Sequence, residues 1–271
     1  MAKAKEFQQY LVEPTPAHVG HFDYLKSPGT AFLKYTVEAK STVDLCIRKF
    51  PTKANGEYVK DALDSMQHLV VAMVPAIMGH FETYQRYLFA GMFDTSVYLE
   101  KFDVDDFLKR LSKVSEVSID PLRLSAHRGL GAESIGLLMA DSLGGWHDPD
   151  RVNICFDAFG LKRQLFSNDS CNRLNVLWQI RHSIVHTGGT LTLPDAQKVK
   201  ELSEHGNKKL VFENRFIYEI SRKLHPLIKE STNGIGEPFK NRLKATTPQS
   251  ARQKIDDLFT VKSPIAVWLR A

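Results

Sequence analysis

Cysteine is scarce in this chain. There are 3 in 271 residues, Cys46, Cys155 and Cys171, and no two form a CxxC pair. That spacing excludes a disulfide framework and a zinc-finger ligand set, and it suits a reducing compartment. Long apolar runs are scarce too. The longest, Leu69 to Met78, contains Pro75 and falls short of the roughly 20 residues a membrane-spanning helix needs. The opening segment MAKAKEFQQYLVEPTP has no apolar stretch of the kind a secretory signal carries. The expected location is therefore cytoplasmic, with no membrane partner. The GxGxxG, GK[ST] and GxSxG spacings are missing, so nothing points to a phosphate loop or a nucleophile elbow. There is no internal repeat and no low-complexity tract.

Acidic residues thin out late in the chain. The whole sequence has 36 Lys+Arg against 31 Asp+Glu, a net charge of +5. From Asn207 to Ala271 thirteen basic residues face six acidic ones, a local excess of seven. A basic stretch can hold a polyanion such as RNA, and it can equally be a solvated helical face.

Hydrophobic periodicity is plentiful. Residues 1–58 read as an N-terminal extension with a β-hairpin. Ala31 to Val37 and Thr42 to Arg48 are rich in β-branched and aromatic residues, and Val43, Leu45 and Ile47 alternate with Asp44 and Cys46. Pro51 and Asn55-Gly56 mark a break. From Asp61 the period becomes helical through Leu63, Met66, Leu69, Val70, Met73 and Val74, with a kink expected at Pro75. Further helices are expected at 104–111, 132–143, 150–165, 169–186, 194–202 and 212–228. The stretch 190–193 can be extended. Gly234, Gly236 and Pro238 should end the bundle, leaving residues 233–271 as a basic tail with one helix at 248–259. The fold class expected is mainly α: a helical bundle over residues 59–232, a small β-containing extension before it and a basic helical tail after it. Trp146, Phe156 and Phe159 are core candidates. The glycine-rich stretch 129–136 reads as a turn before a helix.

The segment Arg181-His182-Ser183-Ile184-Val185-His186-Thr187-Gly188-Gly189 carries the most chemistry. Arginine offers phosphate a rigid fork of donors, and histidine is the side chain best suited to move protons near neutral pH. On a helix, Leu174, Leu177, Trp178, Ile184 and Val185 share an apolar arc with Arg181 in its middle. An isolated buried guanidinium would cost several kcal/mol after relaxation. Arg181 should therefore have a buried partner or emerge at an interface. Asn175, Gln179, His182 and His186 form a second, polar stripe. Gly188 suits the left-handed position that ends a helix. Arg181 and His186 point about 140° apart on a straight helix. They meet on one phosphate if the arginine folds across, if the last turn unwinds, or if a second subunit completes the site.

This segment resembles the RxxxxH motif of the HEPN superfamily (higher eukaryotes and prokaryotes nucleotide-binding domains). The stretch Gly79-His80-Phe81-Glu82-Thr83-Tyr84 is similar to an early helix of that family, in which an acidic residue sits beside an aromatic. The resemblance covers residues 60–205. It implies an all-helical fold, a composite site at a homodimer interface and metal-independent cleavage of RNA, with Arg181 and His186 as catalytic residues. It also implies a setting such as toxin–antitoxin or antiviral defence, where an antitoxin or other regulatory protein is a partner. The position after the arginine is often asparagine in the family and is His182 here.

On this reading His186 acts as general base on a 2′-hydroxyl or as general acid toward the leaving 5′-oxygen, and Arg181 holds the phosphate. DNA, lacking the 2′-hydroxyl, should not be cut. His182, Gln179 and Glu82 are supporting candidates, with Glu82 orienting an arginine or histidine. No cofactor and no metal are expected. The structural alternative pairs Arg181 with Glu82 and leaves His186 at a helix end, as in a non-catalytic RNA- or protein-binding module. A metal held by His182 and His186 at i, i+4 is a further alternative, but no third ligand is evident.

Overall fold

A computed structural model describes residues 6–11, 18–113, 134–213 and 215–262. Residues 129–133 of the glycine-rich turn expected at 129–136, and the last nine residues of the tail, lie outside these. The described elements are α1 (His21–Lys26), α2 (Pro28–Lys49), α3 (Lys60–Thr95), α4 (Val104–Leu111), α5 (Ile135–Ser142), α6 (Pro149–Asp157) and α7 (Asn168–His186). There follow β1 (Thr190–Leu191), α8 (Leu193–Ala196), β2 (Lys208–Lys209), α9 (Phe216–Lys240) and α10 (Gln249–Phe259). The protein is mainly α-helical, and the one sheet named among the described residues is the antiparallel pair β1–β2.

The small β element is not where the N-terminal pattern puts it. Residues 31–48, expected as a hairpin, belong to the 22-residue helix α2. Its buried residues Phe32, Leu33, Thr36, Ala39 and Val43 recur at spacings of three and four, whereas Leu45, which alternation would bury, is 54% exposed. Packing of that stripe overrides the local preference of β-branched residues for strands. Pro28, in the first turn of α2, supplies a start signal. The break at Pro51 to Gly56 is present as a turn closed by an isolated bridge between Thr52 and Tyr58.

The central element is α3, 36 residues running through Pro75. By length and composition it could cross a membrane. Here its face Val70, Val74, Ile77, Phe81, Tyr84 and Leu88 is core. Phe32 of α2 packs on Phe81 with ring centroids 5.5 Å apart, and Phe81 in turn faces Phe166 and Trp178. Helix α5 lies so close to α3 that a Cβ at Gly136 would stand 2.1 Å from the Ala90 carbonyl oxygen, so only glycine fits there. Trp146, Phe156 and Phe159 are buried around Phe89.

Several expected boundaries shift. The helix expected over 194–202 is α-helical only as Leu193–Ala196, and the chain then passes to a separate 3-10 turn at Lys200–His205. The helix expected over 150–165 ends at Asp157, because the chain turns at Gly160 (φ 66°) and Lys162 (φ 54°). The break expected at Gly234, Gly236 and Pro238 is not there: α9 runs on to Lys240. Gly236 instead makes room for Phe259 of α10, whose ring carbon would lie 2.7 Å from an added Cβ. The core therefore takes residues from both sides of 58/59 and of 232/233, including Phe32, Val43, Ile235 and Phe259.

Candidate functional site

Helix α7 begins at an N-cap, where the Ser167 hydroxyl accepts the Ser170 amide at 3.2 Å. It remains regular through His186, so the last turn does not unwind before Thr187. The end is tied down. The Ser183 carbonyl accepts the N–H groups of Thr187 (3.2 Å) and Gly189 (3.0 Å), and Gly188 and Gly189 both adopt positive φ. The glycines let the chain reverse at once into β1.

The stripe Leu174, Trp178, Arg181, Val185 leaves the core partway along. Leu174 and Trp178 are buried, Arg181 is half-buried and Val185 is 47% exposed. Arg181 thus occupies the point where the helix emerges, which removes the cost of burying its charge. Among the described residues it has no ion pair and no hydrogen bond. The expected pairing with Glu82 is not formed. Glu82 faces Arg86 one turn along α3 at 3.8 Å, and Arg86 also pairs with Asp141 of α5. Geometry on separate faces keeps Glu82 out of the motif.

The polar stripe also divides. Gln179 is buried, and its amide donates to the Ser183 hydroxyl at 3.5 Å. It braces the helix rather than lining an open face. His186 is exposed, and its ring lies 4.7 Å, centroid to centroid, from that of half-buried His182. No hydrogen bond joins Arg181 to His186 among the described residues. The helix brings the two histidines together and sends the arginine to another side.

Residues outside the motif complete its surroundings. Asp195, only 7% exposed, lies 4.0 Å from His182 Nε2. Lys198 donates to Asp195 Oδ1 at 2.7 Å, and the Thr192 hydroxyl donates to Oδ2 at 2.9 Å. The Lys198 hydrogen bond, helped by that of Thr192, holds the Asp195 carboxyl below the usual carboxylate range. The register of β1 with β2 sets Lys209 opposite Thr190 and Lys208 opposite Leu191, and Leu210 N–H closes the ladder onto the Gly189 carbonyl at 2.7 Å. Two cations from the start of the basic stretch at 207–271 are therefore paired onto the strand that directly follows the motif. Asp195, Lys198, Lys208 and Lys209 escaped the reading by motif. The short run Lys208 to Val211 between two helical patterns was the available signal.

A groove of about 670 Å³ flanks α7, between it and α9, with Leu177, Ile180, Phe216, Ile220 and Leu224 among its walls. No group of three His, Cys, Asp or Glu side chains among the described residues is placed to hold a metal ion. No family model, curated protein or solved structure matches the chain.

Proposed function

We propose that the protein is a metal-independent endoribonuclease of HEPN-like type, working as a homodimer. The carrying observation is the end of α7: a half-buried Arg181 at the edge of the core, unpaired among the described residues, followed by half-buried His182 and exposed His186 with their rings together. Lys208 and Lys209 add positive charge beside it, which favours a polyanionic substrate. In the proposed reaction an RNA 2′-oxygen attacks the adjacent phosphorus and the bond to the 5′-oxygen breaks. The hydroxyl proton leaves to a base and the 5′-oxygen gains one from an acid, giving a 2′,3′-cyclic phosphate and a 5′-hydroxyl. His186 serves one of these proton steps, and Arg181 stabilises charge on the phosphorane oxygens. The buried Asp195 carboxylate faces His182 Nε2 at 4.0 Å. Because Arg181 and His186 diverge on an unbroken helix, a two-fold axis beside α7 is the arrangement that would set the arginine of one protomer against the histidine of its partner. Defence or toxin–antitoxin roles fit such an activity.

The test is incubation of EDTA-treated protein with mixed RNA and with DNA. Cleavage of RNA alone, ending in cyclic phosphate and lost in both Arg181→Ala and His186→Ala, supports the proposal. Cleavage that persists in His186→Ala rejects the mechanism.

A second reading, a non-catalytic RNA- or protein-binding module, is favoured by the apolar groove beside α7. Binding of RNA or a protein by the intact dimer, with no product over long incubation, would select it.

A further inference from the structure

The segment that joins β2 to α9 carries a pair of aromatic rings that the proposed reaction does not use. Phe212 and Phe216 lie face to face, with ring centroids 4.1 Å apart and planes 7° from parallel. The Phe216 N–H donates to the Glu213 carbonyl at 3.0 Å, a turn that sets the two rings one over the other. Both are half-buried against the core. Phe212 lines an open cavity of about 440 Å³, whose other walls are Leu63, Met66 and Gln67 of α3 with Val211 and Glu213. Small-molecule sites run roughly 300–1,000 Å³. Phe216 borders the groove beside α7.

The walls match a nucleobase in shape, in hydrogen bonding and in surrounding charge. Phe212, backed by a second ring, is a rigid flat surface of the kind on which bases stack. Leu63 and Val211 are exposed apolar side chains at the same opening. Gln67 is half-buried, and its amide has no hydrogen-bond partner among the described residues. That amide offers a donor and an acceptor, and the Glu213 carboxylate offers acceptors. Adenine presents the complement, an amino donor beside a ring-nitrogen acceptor. The carboxylate also disfavours a phosphate inside the cavity, so the base and not the backbone is the part that enters. Positive charge lies just outside. Lys208 and Lys209 are exposed and form no ion pair among the described residues. The Leu210 N–H is bonded to the Gly189 carbonyl, and Phe212 stands two residues further on, at most about 7 Å of chain from the turn that ends the motif.

We infer that this cavity seats one unpaired base of a single-stranded RNA, an adenine by its hydrogen-bonding pattern. The base stacks on Phe212, its edge meets Gln67 and Glu213, and the flanking phosphates meet Lys208 and Lys209. A base held in a duplex is stacked on its neighbours and cannot enter, so the pocket selects single strands. That the strand is RNA rests on the endoribonuclease reading; the stacking and edge contacts do not.

The test is fluorescence anisotropy of the full chain with a labelled eight-nucleotide 2′-O-methyl oligoadenylate, which cannot be cleaved by 2′-oxygen attack, and with an abasic strand of equal length and charge. The native chain should bind the oligoadenylate more tightly than the abasic strand. Phe212→Leu keeps an apolar side chain and removes the flat ring. It should weaken the oligoadenylate about tenfold, the usual loss for one stacked base, and leave the abasic strand unchanged. Gln67→Ala should weaken the oligoadenylate about threefold with the abasic strand again unchanged, and it carries the test if Phe212→Leu disturbs the fold. Lys209→Gln should weaken both strands alike, as a phosphate contact does. Equal binding of the two strands by the native chain overturns the inference. So does a loss in Phe212→Leu and Gln67→Ala that falls equally on both strands, or AMP that competes as well as the oligoadenylate. Base-dependent binding by a chain that cuts no ordinary RNA upholds the pocket and rejects the endoribonuclease reading. Cleavage of RNA with no base-dependent binding does the reverse.

Discussion

Asp195 presents a buried carboxylate 4.0 Å from Nε2 of His182. The two residues stand on separate helices, and the Gly188-Gly189 turn folds one back beside the other. The Lys198 hydrogen bond keeps the carboxyl below its ordinary range. A carboxyl whose folded value is depressed stabilises the fold above its unfolded value, and that contribution is lost as pH falls through the folded value. Asp195→Asn should therefore cost on the order of 1–2 kcal/mol at pH 7 by urea denaturation. The gap from the native protein should close below about pH 4.

Replacing Arg181 by methionine separates chemistry from packing. The side chain is half-buried and unpaired among the described residues, so Arg181→Met keeps its apolar stem and leaves no carboxylate stranded. The melting temperature should change little, as for surface substitutions within about 0.5 kcal/mol. The proposed RNA cleavage should fall by about a hundred- to a thousandfold, the usual loss for one donor to a developing oxyanion. Parallel loss of stability and activity would mean that Arg181 is structural.

Acid should weaken the fold through His225. This residue is 8% exposed and its Nε2 has no partner among the described residues. Burial first, and Lys229 second, push its pKa below the ordinary histidine value. Burial pushes His80 the same way. The neutral forms are favoured when folded, so stability is complete above about pH 6.5 and declines as pH falls below it, where the unfolded chain takes up protons first. The urea midpoint should drop between pH 7 and pH 5, and His225→Phe should flatten that slope. An equal slope in the variant would remove His225 as the cause.

The N-terminal region should be inseparable from the core. Phe32 is fully buried against Phe81 and Tyr84. Phe32→Ala should cost about 3–5 kcal/mol, the range for emptying a buried aromatic site. A chain beginning at residue 59 should fail to show a cooperative melting transition. An independently folding 59–271 fragment would make α2 an accessory.

The long helices were legible in the sequence wherever one periodicity governed a whole segment. Val104–Leu111 and Asn168–His186 fall within a residue of their expected ends, because Asp103 and Ser167 cap them with side-chain oxygens. Illegible segments were those with competing local signals. In α2 the β-branched residues and a short alternation mimic a strand, while the helical stripe Phe32, Thr36, Ala39, Val43 becomes visible only against α3. In α9 the two glycines and Pro238 look like a break, and only the docking of Phe259 explains why Gly236 is tolerated inside a helix.

By itself the sequence determined that α7 is amphipathic, that it stops at Gly188, and that Arg181 and His186 diverge along it, since these follow from the 100° step and from glycine's access to positive φ. Tertiary structure alone decided which part of that helix is buried. Trp178 meets Phe81 while Val185 meets solvent. It likewise decided that Glu82 serves Arg86, that Asp195 faces His182, and that Lys208 and Lys209 pair onto the strand that follows the motif. Contacts between residues distant in the chain depend on the closing of loops and the docking of helix faces, and neither is encoded in any local window of sequence.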